Sequence, residues 1–350
     1  MLAPVTHILS YTSVRRERFL PIPGRVLVRK GQSVLTNDII AEGILQPRHI
    51  ILDIVRGLGL PKEKVEGQIH CQVSSNVIAG DVLAGPVGMT RRVVRTPVNG
   101  QVVLIRDGRI YIQVNGQDFQ LKAGLPGEVE ELIPDRGAII RTTGSLIQGV
   151  WGNGQIQTGP MQLRISSPEQ ELDAEMLDET VKECVIVGGF CRDDKVVNAA
   201  LKLPVKGMIL ASIPVDLITM ASKVSFPIIV IEGFGKHAMN SAAFELLAKY
   251  EKHEASMNAE AWDRYQGIRP EVVIPLTATA NPPETCESIR YSPGQTVRIT
   301  QPPEIGRIGS LVDLVGLTSF PNGQRTQAAK IRLDAETEIM VPLSNMEVLI

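Results

Sequence analysis

Three unbroken apolar runs alternate with helical patterns between residues 183 and 276. The runs are residues 184–187, 207–210 and 227–231, and a small, polar or glycine-rich turn follows each of them. A parallel sheet that is covered by helices on both faces requires continuous apolar strands of this kind. The sequence therefore predicts a central parallel, three-layer α/β unit, to which residues 271–275 add a fourth strand.

The segments between these runs carry apolar residues at helical spacing. The first predicted helix, residues 194–203, ends before Pro204, which cannot continue a helix. The second has apolar residues at i, i+3, i+4 and i+7 over residues 217–224. The third begins after Asn240 or Ser241, both of which are suitable N-cap residues.

The turns after the apolar runs are candidate ligand sites, because open α/β sheets bind ligands at the carboxyl ends of their strands. Helix N-termini favour anions through their free N–H groups and their dipole. Asp193 and Asp194 would repel an anion from the first helix, whereas residues 232–241 combine glycines with polar and basic side chains. The candidate ligand-binding residues are Gly189, Ser212, Glu232, Gly233, Gly235, Lys236, His237, Asn240 and Ser241.

The sequence at these turns does not match the known nucleotide-binding motifs. The sequence contains neither G-x-x-x-x-G-K-[ST] nor G-x-G-x-x-G between a predicted strand and a predicted helix. The alternative interpretation is that Gly233 and Gly235 form a tight turn on which Lys236 and His237 are solvated.

A catalytic Cys–His pair could form at the same turns. Cys191 follows the first apolar run, His237 follows the third, and Glu232 could orient the imidazole ring. However, the acids after Cys191 would raise the pKa of its thiol, and the four cysteines show no C-x-x-C spacing. We therefore predict no catalytic residues, no metal and no cofactor, and favour a protein that is not an enzyme.

Charge is distributed unevenly along the chain. Residues 1–116 contain 15 Lys and Arg against 8 Asp and Glu, although the net charge of the whole chain is only −2. This excess could attract an acidic partner or nucleic acid, or it could be a solvated face that aids solubility. The candidate basic patch comprises Arg91, Arg92, Arg95, Arg106 and Arg109.

The sequence gives no indication of a membrane segment. Its apolar runs are shorter than the roughly 18–20 residues that a membrane helix needs. The amino-terminal arginines follow the first apolar segment instead of preceding it, which is not the order of a signal peptide. We therefore expect a cytoplasmic protein that does not contact a membrane.

Two similar segments occur in the amino-terminal part. In residues 33–41 and 76–84, an apolar pair, a short polar turn, an Asp and a second apolar pair ending in Ala recur in the same order. The Asp can hydrogen-bond the turn backbone two residues on. Residues 21–115 resemble the barrel-sandwich hybrid fold of biotinyl and lipoyl carriers. Because residues 36–37 and 79–80 at the hairpin tips include no lysine, the resemblance implies no attached biotin or lipoate.

The carboxyl-terminal part carries a second resemblance. Residues 294–299 read G-x-x-V-x-I, Gly306 and Gly309 open a G-x-x-G-x-L phrase, and residues 341–347 read V-P-L-x-N-x-E. Residues 293–350 resemble the KOW module of transcription elongation factors, which implies a small five-stranded barrel that contacts nucleic acid or protein. Residues 290–350 hold six basic and six acidic residues, which favours protein contact or intramolecular packing over phosphate binding.

These observations predict a multidomain protein of mixed α/β and β class. Its segments are a barrel-sandwich-hybrid-like β domain (1–116), a β-rich glycine-containing segment (117–170), the parallel α/β unit (171–276), a linker (277–292) and a KOW-like β-barrel (293–350). The preferred function is a non-enzymatic interaction or scaffold protein with a protein partner. The alternatives are a nucleic-acid or ribonucleoprotein-associated protein, and a nucleotide- or anion-binding α/β protein with or without catalytic activity. The oligomeric state does not follow from the sequence.

Overall fold

The computed structural model describes residues 2–44, 49–114, 118–263, 268–277, 282–285 and 288–350. The chain divides into two compact units. The large unit contains Met1–Phe19, Val28–Ile40 and Lys122–Ile350, and the small unit contains Leu20–Leu27 and Ala41–Leu121. The small unit is therefore built from residues that interrupt the large one in sequence.

Strands make up 49% of the described residues and helices 14%. In the first half of the chain the strands are β1 (Leu2–Thr6), β2 (Ile8–Phe19), β3 (Arg25–Val26), β4 (Ser33–Val34), β5 (Ile39–Ile44), β6 (His49–Asp53), β7 (Asn76–Val77), β8 (Val82–Val87), β9 (Arg92–Arg95), β10 (Gly100–Arg106), β11 (Arg109–Val114), β12 (Asp118–Lys122), β13 (Gly127–Ile133), β14 (Gly137–Gln148), β15 (Trp151–Gly152) and β16 (Ile156–Leu163). In the second half they are β17 (Glu171–Leu172), β18 (Val185–Cys191), β19 (Gly207–Ile213), β20 (Ile228–Phe234), β21 (Glu254–Asn258), β22 (Glu271–Pro275), β23 (Ser288–Arg290), β24 (Thr296–Ile299), β25 (Ile308–Ser319), β26 (Arg325–Arg332), β27 (Glu338–Pro342) and β28 (Met346–Leu349).

The helices are short. The α-helices are α1 (Ile54–Leu58), α2 (Lys62–Val65), α3 (Asp194–Leu201), α4 (Ile218–Ala221) and α5 (Ser241–Lys249). Single 3-10 turns occupy Glu66–Gln68, Ala174–Met176, Glu179–Val181, Val215–Leu217 and Leu343–Asn345. None of the helices in the described ranges has the length and apolar character that crossing a lipid bilayer requires.

A 12-stranded sheet forms the centre of the large unit. Its main path runs β15-β20-β19-β18-β16-β21-β22-β14-β13-β4, while β17 pairs with β18 and β2 with β14. The three apolar runs lie in β18, β19 and β20, which are parallel to one another. Every residue of β18 and β19 is buried, as expected for strands that are covered on both faces.

Two hydrophobic clusters cover the two faces of these parallel strands. Alternate residues point to opposite faces, so Val185 and Val187 join one cluster and Ile186 joins the other. Helix α5 packs on the first face, and α3 and α4 pack on the second. This arrangement is local, because the same sheet continues through antiparallel strands on the far side of β16.

The predicted α/β class and the three-layer α/β unit are therefore wrong. Residues 271–275 form β22, but β22 pairs antiparallel with β14 and β21 instead of extending the parallel strands. Helix α4 has only four residues, because a 3-10 turn precedes it and the helix ends at Ser222. Antiparallel pairing with distant strands, which local periodicity does not encode, makes the unit predominantly β.

The carboxyl-terminal residues form an open seven-stranded sheet, and the predicted small β-barrel is also wrong. The strand order is β23-β1-β28-β24-β25-β26-β27, and no sheet in the described ranges closes on itself. Strand β1 comes from the opposite end of the chain and pairs parallel with β28, where Val5 lies opposite Val348. Because β1 takes this edge of β28, the sheet extends instead of closing. Of the predicted linker, residues 278–281 and 286–287 lie outside the described residues, and Ser288–Arg290 is strand β23.

The small unit contains the four-stranded sheet β6-β11-β10-β7 and the two-stranded sheet β8-β9. A three-stranded sheet, β12-β5-β3, lies mainly in this unit as well. These are separate sheets without a closed barrel in the described residues, so the barrel-sandwich-like architecture of the fold prediction is wrong.

The two repeated segments nevertheless fold alike at their turns. Asp38 accepts a hydrogen bond from the backbone N–H of Leu35, and Asp81 accepts one from that of Ile78, both at 2.8 Å. The bond therefore runs back three residues instead of forward two. Each Asp closes its turn locally, which is why the two turns agree.

Candidate functional site

A cleft of about 1150 Å³ lies in the large unit, beside the end of β20. Glu232, Phe234 and His237 of the predicted ligand loop line it from the central sheet. Arg298 on β24 and Glu347 on β28 line it from the carboxyl-terminal sheet. The predicted loop therefore borders the cleft, but it meets residues that the sequence did not single out.

Four buried charged side chains, Glu232, Arg269, Arg298 and Glu347, form an ionic cluster at this cleft. Nη1 of Arg298 lies 2.8 Å from Oε2 of Glu232, and Nη2 lies 2.5 Å from Oε1 of Glu347. Nη2 of Arg269 lies 3.3 Å from Oε2 of Glu347. The side chain of Arg298 is only 2% exposed, so its charge is compensated by protein groups and not by water.

Hydrogen bonds tie this ionic cluster to several elements. Nη1 of Arg298 also donates to the carbonyl oxygen of Ile231 at 2.9 Å. Nη1 of Arg269 donates to Oγ1 of Thr6, and this hydroxyl donates to Oε2 of Glu347, both at 2.8 Å. The cluster thus joins β1, β20, β24 and β28 with the segment before β22.

The cluster shifts the pKa values of Glu347 and Arg298. Burial alone would raise the pKa of Glu347, but Arg298 and Arg269 lower it overall, helped by the hydrogen bonds from Arg298 and Thr6. Burial would lower the pKa of Arg298, yet Glu347 and Glu232 raise it overall. Both residues are therefore held in their charged forms.

The second oxygen of Glu232 is also occupied. Its Oε1 accepts hydrogen bonds from the backbone N of Asn240 at 2.9 Å and from Nδ2 of the same residue at 2.5 Å. Oδ1 of Asn240 in turn accepts from the backbone N of Ala243 at 2.8 Å and caps α5. Glu232 therefore links the start of α5 to Arg298 and has no free oxygen for a ligand or for proton transfer.

Ser212 and His237 hold the rest of the loop. Oγ of Ser212 donates to the carbonyl oxygen of His237 at 2.8 Å and accepts from the backbone N of His237 at 3.0 Å. Nε2 of His237 lies 3.0 Å from the carbonyl oxygen of Phe234. A Cβ on Gly306 would lie only 2.8 Å from Nδ1 of His237, so this glycine allows the turn between β24 and β25 to approach the ring.

The remaining predicted residues fill different roles. Gly233 and Gly235 adopt φ values of 121° and 105°, which only glycine adopts readily. Lys236 forms an ion pair with Glu171. Gly189 is buried inside β18 against the carbonyl oxygen of Gln170, and Ser241 is the exposed first residue of α5. The structure therefore brings Ser212 and the 232–240 loop together, but Gly189 is not at a turn.

Cys191 lies in a setting that is unfavourable for a nucleophile. It is fully buried, and burial, with Asp193 adding to the effect, raises the pKa of its thiol to about 12. A thiol with this pKa is almost entirely protonated at neutral pH. In the part of the chain that the structure describes, no group of three or more His, Cys, Asp or Glu side chains could hold a metal ion.

The predicted basic patch falls on two sheets of the small unit. Arg92 and Arg95 lie on β9 and Arg91 in the turn before it, whereas Arg106 and Arg109 flank the β10–β11 turn. Arg95 donates to the carbonyl oxygen of Gly80 at 2.6 Å. The arginines of β2 contribute to the amino-terminal excess but are paired: Arg15 with Glu130, Arg16 with Glu271 and Arg18 with Glu260.

Sequence reasoning missed Arg269, Arg298 and Glu347. A signal was available for two of them, because Arg298 lies between Val297 and Ile299, and Glu347 lies between Met346 and Val348. All six of these residues are buried. A single charge inside a short apolar strand, with a partner of opposite sign in a similar strand, indicates a buried ion pair.

No protein-family model matches this chain, and no curated protein matches it. The resemblances to the KOW and barrel-sandwich-hybrid families therefore stay predictions, whereas the barrels expected from them are absent from the described residues. Any proposed function has to rest on the geometry described above.

Proposed function

We propose that this protein is a non-enzymatic interaction protein, in which the central sheet serves as a scaffold for the carboxyl-terminal sheet. The observation that carries this proposal is that the polar groups of the candidate site are bonded to other parts of the protein. Glu232, Asn240 and Ser212, which a ligand or a reaction would need, are engaged in bonds that fasten the loop and the two sheets.

Catalysis would require an acid, base or nucleophile that can change its protonation state or attack a substrate. Glu232 is bonded through both oxygens, and the thiol of Cys191 is buried and protonated. These features argue against an enzyme at the predicted loop.

A scaffold role also explains why charges are buried at all. Buried ion pairs contribute little net stability compared with apolar residues of the same shape, but in some proteins they select one geometry. Arg298 needs Glu232 on one sheet and Glu347 on the other at the same time. Such a cluster would hold the carboxyl-terminal sheet in a single orientation and present its outer surface to a partner.

The charges of residues 290–350 favour a protein partner over nucleic acid. This segment has six basic residues, of which Arg298 is buried. Arg307 pairs with Glu304, and both Lys330 and Arg332 pair with Glu338. Binding to phosphates draws most of its energy from accessible cations. Because six acidic residues balance the six basic ones, this segment offers no net positive charge to phosphates.

A second candidate function is the binding of a small, uncharged ligand in the cleft. The volume of about 1150 Å³ is slightly above the roughly 300–1,000 Å³ that is typical of ligand pockets. Trp262, His7 and Gln148 line the cleft, and the ionic cluster balances two cations with two anions. This lining would suit a neutral molecule better than a phosphate compound.

Affinity purification of the tagged full chain from its native cells tests the proposal. We expect one or a few proteins to remain bound in stoichiometric amounts, with or without nuclease treatment. Loss of all bound material on nuclease treatment would contradict the proposal in favour of nucleic acid.

Thermal unfolding with ATP, GTP or inorganic phosphate provides the complementary measurement. We expect no rise in the melting temperature. A rise that Lys236→Ala with His237→Ala abolishes, and that the control Lys223→Ala on an exposed turn keeps, would contradict the proposal in favour of an anion-binding protein.

A further inference from the structure

The outer face of the sheet β6-β11-β10 in the small unit has an ordered arrangement of side chains. The strand register places Ile51 opposite Tyr111 and Tyr111 opposite Leu104, so these three residues form one row across the strands. Two residues along each strand, and so on the same face, Asp53, Arg109 and Arg106 form a second row. On the other side, His49, Gln113 and Gln101 form a third.

The apolar row does not belong to the hydrophobic core of the small unit. That core takes the opposite face of the same strands, where Val102, Ile110 and Ile112 are completely buried. Ile51 is 57% exposed and Leu104 is 42% exposed, while Tyr111 between them is half-buried. Large apolar side chains that lie together on a sheet face and are rimmed by polar residues are typical of binding surfaces.

The charged row determines what this surface can bind. The side chain of Arg106 is 76% exposed, and that of Arg109 is 53% exposed. Their ion pairs are long, at 3.6 Å from Arg106 to Asp107 and 3.9 Å from Arg109 to Asp53. Exposed pairs of this kind contribute little to stability, so a partner carboxylate can replace them at low cost.

We propose that this face binds a protein segment that carries both apolar side chains and carboxylates. The apolar side chains cover the Ile51–Tyr111–Leu104 row, and the carboxylates pair with Arg106 and Arg109. Apolar burial supplies most of the affinity, and the arginines fix the orientation of the segment by charge complementarity. This inference rests on the proposed interaction function and names the chemistry of one partner.

The composition of the face disfavours nucleic acid. Single-stranded nucleic acids are held by series of aromatic rings on which successive bases stack, and the described residues of this face offer only Tyr111 and the imidazole of His49. The neighbours of Tyr111 in its row, Ile51 and Leu104, are aliphatic.

Selection from a display library of random 16-residue peptides on the full chain tests this proposal. We expect the enriched peptides to combine Asp or Glu with Leu, Val, Ile or Phe. Ile51→Glu and Arg106→Glu should each weaken the binding of these peptides at least tenfold. Both positions are exposed, so the variants should keep the melting temperature of the parent within a few degrees.

Two matched controls separate this face from the rest of the small unit. Val73→Glu changes another exposed apolar residue, and Arg91→Glu removes an arginine of the same predicted patch on a different segment. Neither should affect peptide binding. The proposal would be overturned if the enriched peptides are basic, or if they bind Ile51→Glu and Arg106→Glu as tightly as the parent. It would also be overturned if a 16-nucleotide RNA displaces the peptides from the protein.

The outcome is independent of the test of the interaction function. If native protein partners still bind Ile51→Glu and Arg106→Glu, this face is not their binding surface, but the interaction function stands. An absence of any native protein partner would disprove the interaction function, even if the face selects acidic peptides.

Discussion

The ionic cluster of the large unit and the arginine row of the small unit (Arg106 and Arg109) both pair arginines with carboxylates, but they differ in exposure. In the cluster, Arg298 is buried between Glu232 and Glu347 at 2.8 and 2.5 Å. In the row, Arg106 and Arg109 are more than half exposed, and their nearest carboxylates are 3.6 and 3.9 Å away. The first set is closed to outside partners and the second is open to them.

This difference shows that the position of a charge decides its use. A buried carboxylate that loses its cation cannot be rescued by water, so each member of the cluster depends on the others. An exposed arginine is solvated in either case and can exchange one carboxylate for another. The ionic cluster is therefore a structural feature, and the arginine row is available for recognition.

The largest expected effect is that of removing the central cation. Arg298→Ala leaves Glu232 and Glu347 buried with less compensation, and we expect the free energy of unfolding to fall by about 3–5 kcal/mol. Urea unfolding of the full chain measures the change. Arg332→Ala is the matched control, because Arg332 pairs with Glu338 on the surface of the same sheet. A loss below about 1 kcal/mol for Arg298→Ala would remove the distinction between the two sets of charges.

An intermediate effect is expected from acid. The folded-state pKa of Glu347 is lowered, so its contribution to stability is present above the ordinary Glu pKa of about 4.3 and is lost as the pH falls through the folded-state value. We expect the free energy of unfolding to fall steeply as the pH decreases below about 4.3. Glu347→Gln, which cannot titrate, should flatten this dependence.

Urea unfolding at several pH values checks this dependence. Glu251→Gln, at an exposed position after α5, serves as the control and should keep the steep fall. If Glu347→Gln and the parent lose stability in parallel, the cluster does not control the acid response.

The sequence indicates the features of the fold that depend on neighbouring residues, but not the pairing of strands that are far apart in the chain. The apolar runs of β18, β19 and β20 were recognisable because each is continuous and short. The turns at Asp38 and Asp81 were recognisable because each side chain bonds a residue three positions away. By contrast, the pairing of β1 with β28 joins segments about 340 residues apart, and no local periodicity specifies it.

The same limit applies to the candidate site. Residues 232–241 attracted attention because glycines and polar side chains follow a buried strand, and this loop does border the cleft. Whether its polar groups were free depended on Arg298, which lies 66 residues after Glu232. The sequence therefore indicated where polar chemistry is concentrated but not that Arg298 neutralises Glu232.

The smallest expected effect is that of removing the exposed arginines. Arg106→Ala and Arg109→Ala should each change the free energy of unfolding by less than about 0.5 kcal/mol, since exposed side chains without buried contacts contribute little to stability. Urea unfolding beside Arg298→Ala gives the direct comparison. A loss above about 1.5 kcal/mol would mean that these arginines are needed to fold the small unit. The arginine row would then resemble the ionic cluster, and it would not be a surface that is free to exchange its carboxylates for those of a partner.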